Sequence, residues 1–294
     1  MEYSKDSNVI TRQYFDSMLL ETRYIGTDLP STEITLYGEK FATPITTAAL
    51  SHLHDVCENG MEAFAEGAKK AGAFHMVGMG EDDELEGILS VYNKTAKFIK
   101  PHENDEVVYH KIEHAQKNGA MAVGMDIDHS LSGNGGYDVV CGLPMHTKSF
   151  EQIRDFIKAS QVPFIIKGVL SVYDAEKSIE AGAKGIIVSH HHGIMNYAVP
   201  PLMILPEIVK AVDGQIPIFV DCGIMSGMDV FKALALGADA VCVGRDLMEA
   251  LKKGSTGVAE RINAMNLELK SIMARTGSHS VKDIDPSVIH FRNF

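Results

Sequence analysis

PFIIKGVLSVYDAEKSIEAGAKGIIVSHH, residues 163–191, is the stretch on which the fold prediction depends. Two short β-rich runs, FIIKGV and GIIV, flank an amphipathic run that ends in Gly-Ala. Glycine caps the C-terminus of a helix at little cost, and a nearly continuous apolar run after it is typical of a buried parallel strand. The stretch therefore predicts a strand, a helix and a second strand parallel to the first.

The same alternation extends along the chain in both directions, with glycine junctions at KNGAMAVG, VDGQIPIFV and ALGADAVCV. A (β/α)8 barrel typically needs about 250 residues, and the 294 residues here accommodate one. We therefore predict a single α/β domain over 1–294, with a (β/α)8 TIM barrel over 34–294 and an N-terminal helical extension over 1–33, whose helix spans 7–25. The eight predicted barrel strands are 44–50, 74–79, 97–102, 121–128, 163–169, 185–191, 216–222 and 240–246.

Composition and charge exclude several classes of partner. The formal net charge is −12 and no basic patch stands out, which argues against nucleic acid. The N-terminus has no apolar signal core, and no apolar run approaches the ~18 residues of a membrane span. None of the four cysteines forms a C-x-x-C pair. We expect a cytoplasmic protein with reduced thiols that acts on a small molecule, without a membrane partner.

Titratable side chains collect at the predicted carboxyl ends of the strands, where the active site of this fold lies. They are His52 and His54; Lys100 and His102; Asp126, Asp128 and His129; Lys167; His190, His191 and His192; Asp221; and Arg245. Histidines and carboxylates in this arrangement favour acid–base chemistry or metal binding.

Two glycine turns at the ends of the last two strands indicate a phosphate site. Asp221-Cys222-Gly223-Ile224 precedes a predicted helix, and Gly244-Arg245 follows the next strand. Glycine lets a backbone N–H approach a phosphate closely, and phosphate sites after strands seven and eight are common in this fold.

The longest connection in the chain, residues 129–148, is rich in glycine and follows the fourth predicted strand. Loops of this length are usually functional or mobile. Two interpretations remain open at this point, an active-site lid and a solvent-exposed insertion.

The chain resembles the FMN-dependent α-hydroxy-acid oxidases and dehydrogenases, which include glycolate and lactate oxidases. The resemblance is carried by PFIIKGV, DAEKSIEAGAKGIIVSHHHG, LPEIVKAVDGQIPIFVDCGI, GMDVFKALALGADAVCVGR and ARTG, and more faintly by LYGEKFATPI and MAVGMDID. It implies an FMN-dependent oxidoreductase and, since family members usually assemble, a homo-oligomer.

The resemblance also implies roles for individual residues. Lys167 matches the lysine beside the flavin, and His191 matches the base that takes the proton of the substrate hydroxyl. Asp126 matches the aspartate that orients this histidine, with Asp128 as the alternative. The implied cofactor-binding residues are Lys167, Ser189, Asp221, Gly223, Gly244 and Arg245.

Several positions depart from the family pattern. The arginine that clamps the substrate carboxylate is replaced by Ile194, and an alkyl group cannot replace a forked arginine–carboxylate pair. A second phosphate-binding arginine is replaced by Met225, and the family's tyrosine and glutamine after strand three have no match in KFIKPH. We therefore predict a non-standard hydroxy or carbonyl substrate. The candidate substrate residues are Lys100, His102, His129, His190 and His192.

Two other functions remain open from the sequence. One is a non-redox or metal-assisted lyase or isomerase that uses the rim histidines, because histidine and aspartate are common metal ligands. However, no compact ligand motif is present, and we predict no metal. The other is a flavin- or phosphate-binding protein without catalysis.

Overall fold

The computed structural model describes residues 4–292. The strands are β1 (Met18–Leu20), β2 (Ile34–Leu36), β3 (Glu39–Phe41), β4 (Ile45–Thr47), β5 (His75–Val77), β6 (Thr95–Ile99), β7 (Ala122–Asp126), β8 (Val139–Val140), β9 (Leu143–Pro144), β10 (Phe164–Val169), β11 (Gly185–Val188), β12 (Ile218–Val220), β13 (Ala240–Val243) and β14 (Ile289–Phe291). The helices are α1 (Ser7–Ser17), α2 (Gly60–Ala71), α3 (Asp82–Val91), α4 (Asp105–Lys117), α5 (Phe150–Ala159), α6 (Val172–Ala181), α7 (Pro201–Val212), α8 (Gly227–Ala235), α9 (Arg245–Ala250) and α10 (Gly254–Arg275).

Eight parallel strands form the central sheet, in the order β4-β13-β12-β11-β10-β7-β6-β5. The two outer strands of this order also meet, because the Thr47 amide donates to the Phe74 carbonyl at 3.2 Å and the Gly78 amide to the Leu50 carbonyl at 2.8 Å. Helices lie between successive strands, so the architecture is the (β/α)8 barrel that the sequence predicts.

The strand alternation separates two cores and places the polar residues at one end. Met76, Phe98, Ile187 and Phe219 belong to the buried cluster inside the barrel, while their neighbours pack against the helices. Successive side chains of a strand point to opposite faces, so residues two positions further on also face inward. From Phe219 in β12, this step leads to Asp221, the residue just after the strand at the carboxyl end of the barrel.

The helix predicted over 7–25 is wrong beyond Ser17. The chain turns extended there, and β1 pairs antiparallel with β14, Met18 opposite Phe291 and Leu20 opposite Ile289. This pairing gives the backbone of residues 18–20 the hydrogen-bond partners that a longer helix would have supplied. A tertiary contact with the far end of the chain thus overrides the local helical spacing.

The long connection of residues 129–148 contains the short hairpin β8–β9. Its last part returns to the barrel, where Met145 forms a bridge with His102. We refer to residues 129–148 as the strand-four loop, because they follow β7, the fourth strand of the barrel along the chain. Within residues 4–292, no helix is both long and apolar enough to span a membrane.

Candidate active site

A cavity of about 520 Å³ opens at the carboxyl ends of the barrel strands. Its lining joins Leu50, which follows the first barrel strand, to Lys167 on the fifth and Arg245 after the eighth. Its volume lies in the range of about 300–1,000 Å³ that is usual for small-molecule and cofactor sites.

A buried carboxylate between two lysines lies beside this cavity. The Nζ of Lys167 forms an ion pair with Oδ1 of Asp126 at 2.9 Å, and the Nζ of Lys100 lies 2.6 Å from Oδ2 of the same carboxylate. Burial opposes the charge on Lys167, but Asp126, Asp128 and Asp221 outweigh it and raise the pKa of Lys167. Burial likewise opposes the charge on Asp126, and the two lysines outweigh it and lower the pKa of Asp126. The three groups carry a net charge of one positive unit when all are ionised.

His191 lines the cavity next to Lys167. Its Nδ1 lies 3.0 Å from Oδ1 of Asp128 and 3.0 Å from Nζ of Lys167. The Lys167 ammonium, which can only donate, has Asp126 as its acceptor, so the Nδ1 proton of His191 is directed to Asp128 and Nε2 is left as the basic nitrogen. The carboxylate in contact with His191 is therefore Asp128, the alternative of the sequence prediction, because both oxygens of Asp126 face lysines.

The strand-four loop contacts the other side of the His191 ring. Nε2 of His129 lies 3.0 Å from Nε2 of His191, and Nδ1 of His129 lies 3.0 Å from Oδ2 of Asp138 in the same loop. Burial lowers the pKa of His129, and the charge of Lys100 lowers it further. The loop thus covers the nitrogen at which His191 would accept a proton.

The lining of the cavity also contains the two predicted glycine turns, which we call its phosphate end. Asp221, Gly223, Gly244 and Arg245 all line it, as the sequence predicted for a phosphate site, and so does Met225. Ser189 is one layer deeper, where its hydroxyl accepts from the His191 amide at 3.0 Å.

These donors suit FMN, which has a phosphate at one end and a pyrimidine edge that gains negative charge on reduction at the other. The lining includes the guanidinium of Arg245, after the eighth barrel strand, and the ammonium of Lys167, on the fifth, together with the apolar Leu50 and Cys242. Gly223 has a φ of +81°, and a Cβ there would lie 3.0 Å from a methyl carbon of Thr11. The turn therefore needs a glycine, which leaves its backbone accessible to a phosphate.

Two predicted substrate residues lie away from the cavity. The ring of His190 contacts the Thr11 hydroxyl through Nε2 at 2.8 Å and accepts from the Gly193 amide at 2.9 Å, so it anchors α1. His102 is buried behind the strand-four loop, where burial first and the nearby lysines second lower its pKa to about 4. His192 does line the cavity, at the phosphate end, whereas Lys100 and His129 lie beside the cavity without being part of its lining.

Asp126, Asp128 and His191 place one possible ligand atom each within 4.8 Å of one another. A cation there would compete with the ammonium groups of Lys100 and Lys167, which already neutralise Asp126. The charges around this trio therefore oppose a metal ion.

Sequence reasoning missed Asp138 and Asn8. Asp138 reaches His129 through the strand-four loop, and Asn8 reaches His192 from α1 with Oδ1 2.6 Å from Nδ1. Neither residue lies near the carboxyl end of a predicted barrel strand, so only the tertiary structure brings it to the site.

Known proteins similar to this chain include one family model, sequence relatives and solved structures. The family model for FMN-dependent dehydrogenases matches residues 4–149 and 143–291. An L-lactate oxidase of Lactobacillus jensenii is 32% identical over 91% of this chain and 73% of its own length. The 2-hydroxyacid oxidase 2 of Homo sapiens is 27% identical over 98% of this chain and 90% of its own. A solved mandelate oxidase variant with a monooxide FMN adduct has a TM-score of 0.88 at 28% identity, covering 99% of this chain and 92% of that one.

Proposed function

The chain belongs to the family of FMN-dependent dehydrogenases and is an FMN-dependent oxidoreductase; from this premise we propose that it oxidises a hydroxyl-bearing substrate that it does not hold as a simple α-hydroxy carboxylate. The observation that carries the proposal is the Asp128–His191 pair beside Lys167, combined with Ile194 in place of a clamping arginine. Together they favour a retained acid–base pair with an altered substrate contact.

FMN, when bound, supplies the acceptor for the two electrons and the hydrogen that leave the substrate carbon. His191 accepts the hydroxyl proton at Nε2, and Asp128 at Nδ1 stabilises the imidazolium that results. Lys167 keeps a positive charge at the cavity, since the nearby carboxylates raise its pKa. Substrate must displace His129 from Nε2 before that nitrogen can accept a proton.

Among the described residues that line the cavity, none other than Arg245 carries a guanidinium that could serve as the family clamp. Ile194 follows His191 in the loop after β11 and is 42% exposed. Arg245 itself belongs to the phosphate end. We propose that His129, whose Nε2 lies 3.0 Å from Nε2 of His191, contacts the substrate directly, and that Lys100, paired with Asp126, acts on the substrate through its charge.

Reduction of the bound flavin by a panel of hydroxy acids tests this proposal. We expect glycolate, L-lactate and mandelate to reduce the holoenzyme poorly under anaerobic conditions. The Ile194→Arg variant should then raise kcat/KM for these acids by about 30-fold or more, because one partner of a charge-assisted pair is worth ~2–5 kcal/mol. Met195→Arg, which adds the same charge at the neighbouring exposed position, is the matched control and should give no gain.

Efficient turnover of glycolate or lactate by the unmodified protein, with no gain in Ile194→Arg, would contradict the altered substrate contact. Flavin that no hydroxy compound reduces would favour a cofactor-binding protein without catalysis. Assembly into a homo-oligomer and a cytoplasmic location remain proposals, the first of which light scattering of the purified protein would test.

A further inference from the structure

The loop after β11 is attached to the N-terminal helix α1. The Ser7 hydroxyl donates to the Met195 carbonyl at 2.5 Å and accepts from the Ala198 amide at 2.9 Å. At the next residue of α1, the Asn8 amide group donates to the His192 carbonyl at 3.0 Å. The helix therefore fixes both the backbone and one side chain of this loop.

Asn8 sets the orientation of the His192 ring. Its Nδ2 donates to the His192 carbonyl and to Oδ1 of Asp6, so its Oδ1 is the acceptor in the 2.6 Å contact with Nδ1 of His192. The Nδ1 proton of His192 is consequently committed to Asn8. Across residues 4–292, Nε2 of His192 has no hydrogen-bond partner, and the residue lines the cavity.

The phosphate end of the cavity has fewer cations than a phosphate dianion favours. Met225 occupies the position of the second family arginine and is 56% exposed. Arg245 remains, and its Nη2 lies 3.5 Å from the same Asn8 oxygen that holds His192. Two nitrogen-bearing side chains thus converge on one point from different loops.

We propose that His192, oriented by Asn8, binds the FMN phosphate together with Arg245 and replaces the arginine absent at Met225. Nε2 of His192 donates to a phosphate oxygen when the ring is protonated, and the dianion favours that form. In the free protein, burial first and Arg245 second lower the pKa of His192; Asp6 and Asp221 act in the opposite direction, and His191 acts with Arg245. A bound dianion offsets the repulsion from Arg245.

The affinity ratio between FMN and riboflavin isolates the phosphate, because the two ligands share the same ring and ribityl chain. The test variant is His192→Asn, since His192 has a φ of +56° and asparagine tolerates that region without adding charge. We expect its Kd for FMN to rise about ten- to hundredfold, as for loss of a charge-assisted hydrogen bond, with the Kd for riboflavin unchanged. Titration of apoprotein by flavin fluorescence quenching gives both constants.

Two further variants separate positioning from folding. Asn8→Ala should raise the Kd for FMN by a smaller factor and leave that for riboflavin unchanged, because the imidazole remains but is no longer oriented. His279→Asn removes an exposed histidine outside the cavity and should change neither constant. Unchanged riboflavin binding in each variant shows that the site is folded.

The proposal is overturned if His192→Asn leaves the Kd for FMN unchanged. It is also overturned if the constants for FMN and riboflavin rise in parallel, since the histidine would then support the ring or the loop rather than the phosphate. Neither readout depends on turnover, so the result is independent of the identity of the substrate.

Discussion

At the residue scale, His75 shows how burial of one titratable group links stability to pH. It lies in β5 on the helix-facing side, with its ring 5.6 Å from that of Phe64 and its Nδ1 2.9 Å from the Thr47 hydroxyl. Its Nε2 is buried without a partner among the described residues. Burial lowers the pKa of His75 to about 3, so the folded protein keeps this ring neutral.

We expect His75 to weaken the protein in acid. Its folded pKa lies below the ordinary value of 6.5, so the unfolded chain binds the proton more tightly. Above about pH 6.5 this histidine does not lower the free energy of unfolding. As the pH falls from 6.5 toward 3, the free energy of unfolding decreases by up to ~1.4 kcal/mol per pH unit. His75→Leu should reduce this slope in denaturant titrations at several pH values, while His279→Leu should leave it unchanged. Equal slopes in all three proteins would contradict the assignment.

The two aspartates at the end of β7 and in the turn after it mark a limit of sequence prediction at this scale. Both Asp126 and Asp128 fall at the end of the fourth barrel strand, and the sequence alone favoured Asp126 as the partner of His191. In the structure Asp126 faces the barrel axis between two lysines, while Asp128, in the short 3-10 turn that follows, reaches the imidazole. The choice depends on the turn geometry and on Lys100, which no local pattern reports.

At the element scale, the strand-four loop covers Nε2 of His191, the base in the proposed function. Its contact with His191 is made by a ring that is itself held by Asp138 at 3.0 Å. The same loop reaches the connection after the first barrel strand, where Cys141 Sγ lies 3.5 Å from Nε2 of His52. These contacts support the lid interpretation over that of a detached insertion.

Removing the covering ring should expose the base. In His129→Ala, we expect His191 to react faster with diethyl pyrocarbonate, because its Nε2 loses the only ring that covers it among the described residues. Peptide mapping by mass spectrometry measures the rate at this one histidine. Val139→Ala, at an exposed position of the same loop, should not change it. A rate that is equal in His129→Ala and the unmodified protein would mean that the loop already opens freely in solution.

The strand–helix–strand units of the second half could be predicted from sequence because α6, α7 and α8 each end at or just before a glycine with positive φ. Gly182, for example, ends α6 in the left-handed conformation before β11 begins. The strand-four loop has no comparable signal. Its register against His191 and His52 arises from contacts with distant strands, so its presence was predictable and its position was not.

At the scale of the whole molecule, the two ends of the chain meet in one small sheet. β1 and β14 pair antiparallel, and α1 packs against the loops at the carboxyl end of the barrel. We propose that residues 1–294 fold as a single domain, with 1–33 as an extension of the barrel rather than a separate unit. The first barrel strand, β4, begins at Ile45, after the hairpin β2–β3.

Deletion of residues 289–294 should destabilise the whole domain, because β1 loses its partner. We expect one unfolding transition in calorimetry for both proteins, with the melting temperature of the truncated form lower by about 2–4 °C for each kcal/mol lost. A separate low-temperature transition in the full chain would argue that the extension unfolds independently. The partner of β1 lies at the opposite end of the sequence, which is why local spacing predicted a helix there.

The cavity also has a consequence for the seam of the barrel, the line where its eighth strand meets its first. Leu50 and Arg245, from the two sides of the β4–β13 junction, both line it, so a flavin bound in the cavity would contact the chain on either side of that junction. A ligand that binds only when these two strands are paired stabilises the paired state. Amide protons of β4 and β13 should therefore exchange more slowly in the holoprotein than in the apoprotein, because the bound cofactor would stabilise the pairing that closes the barrel.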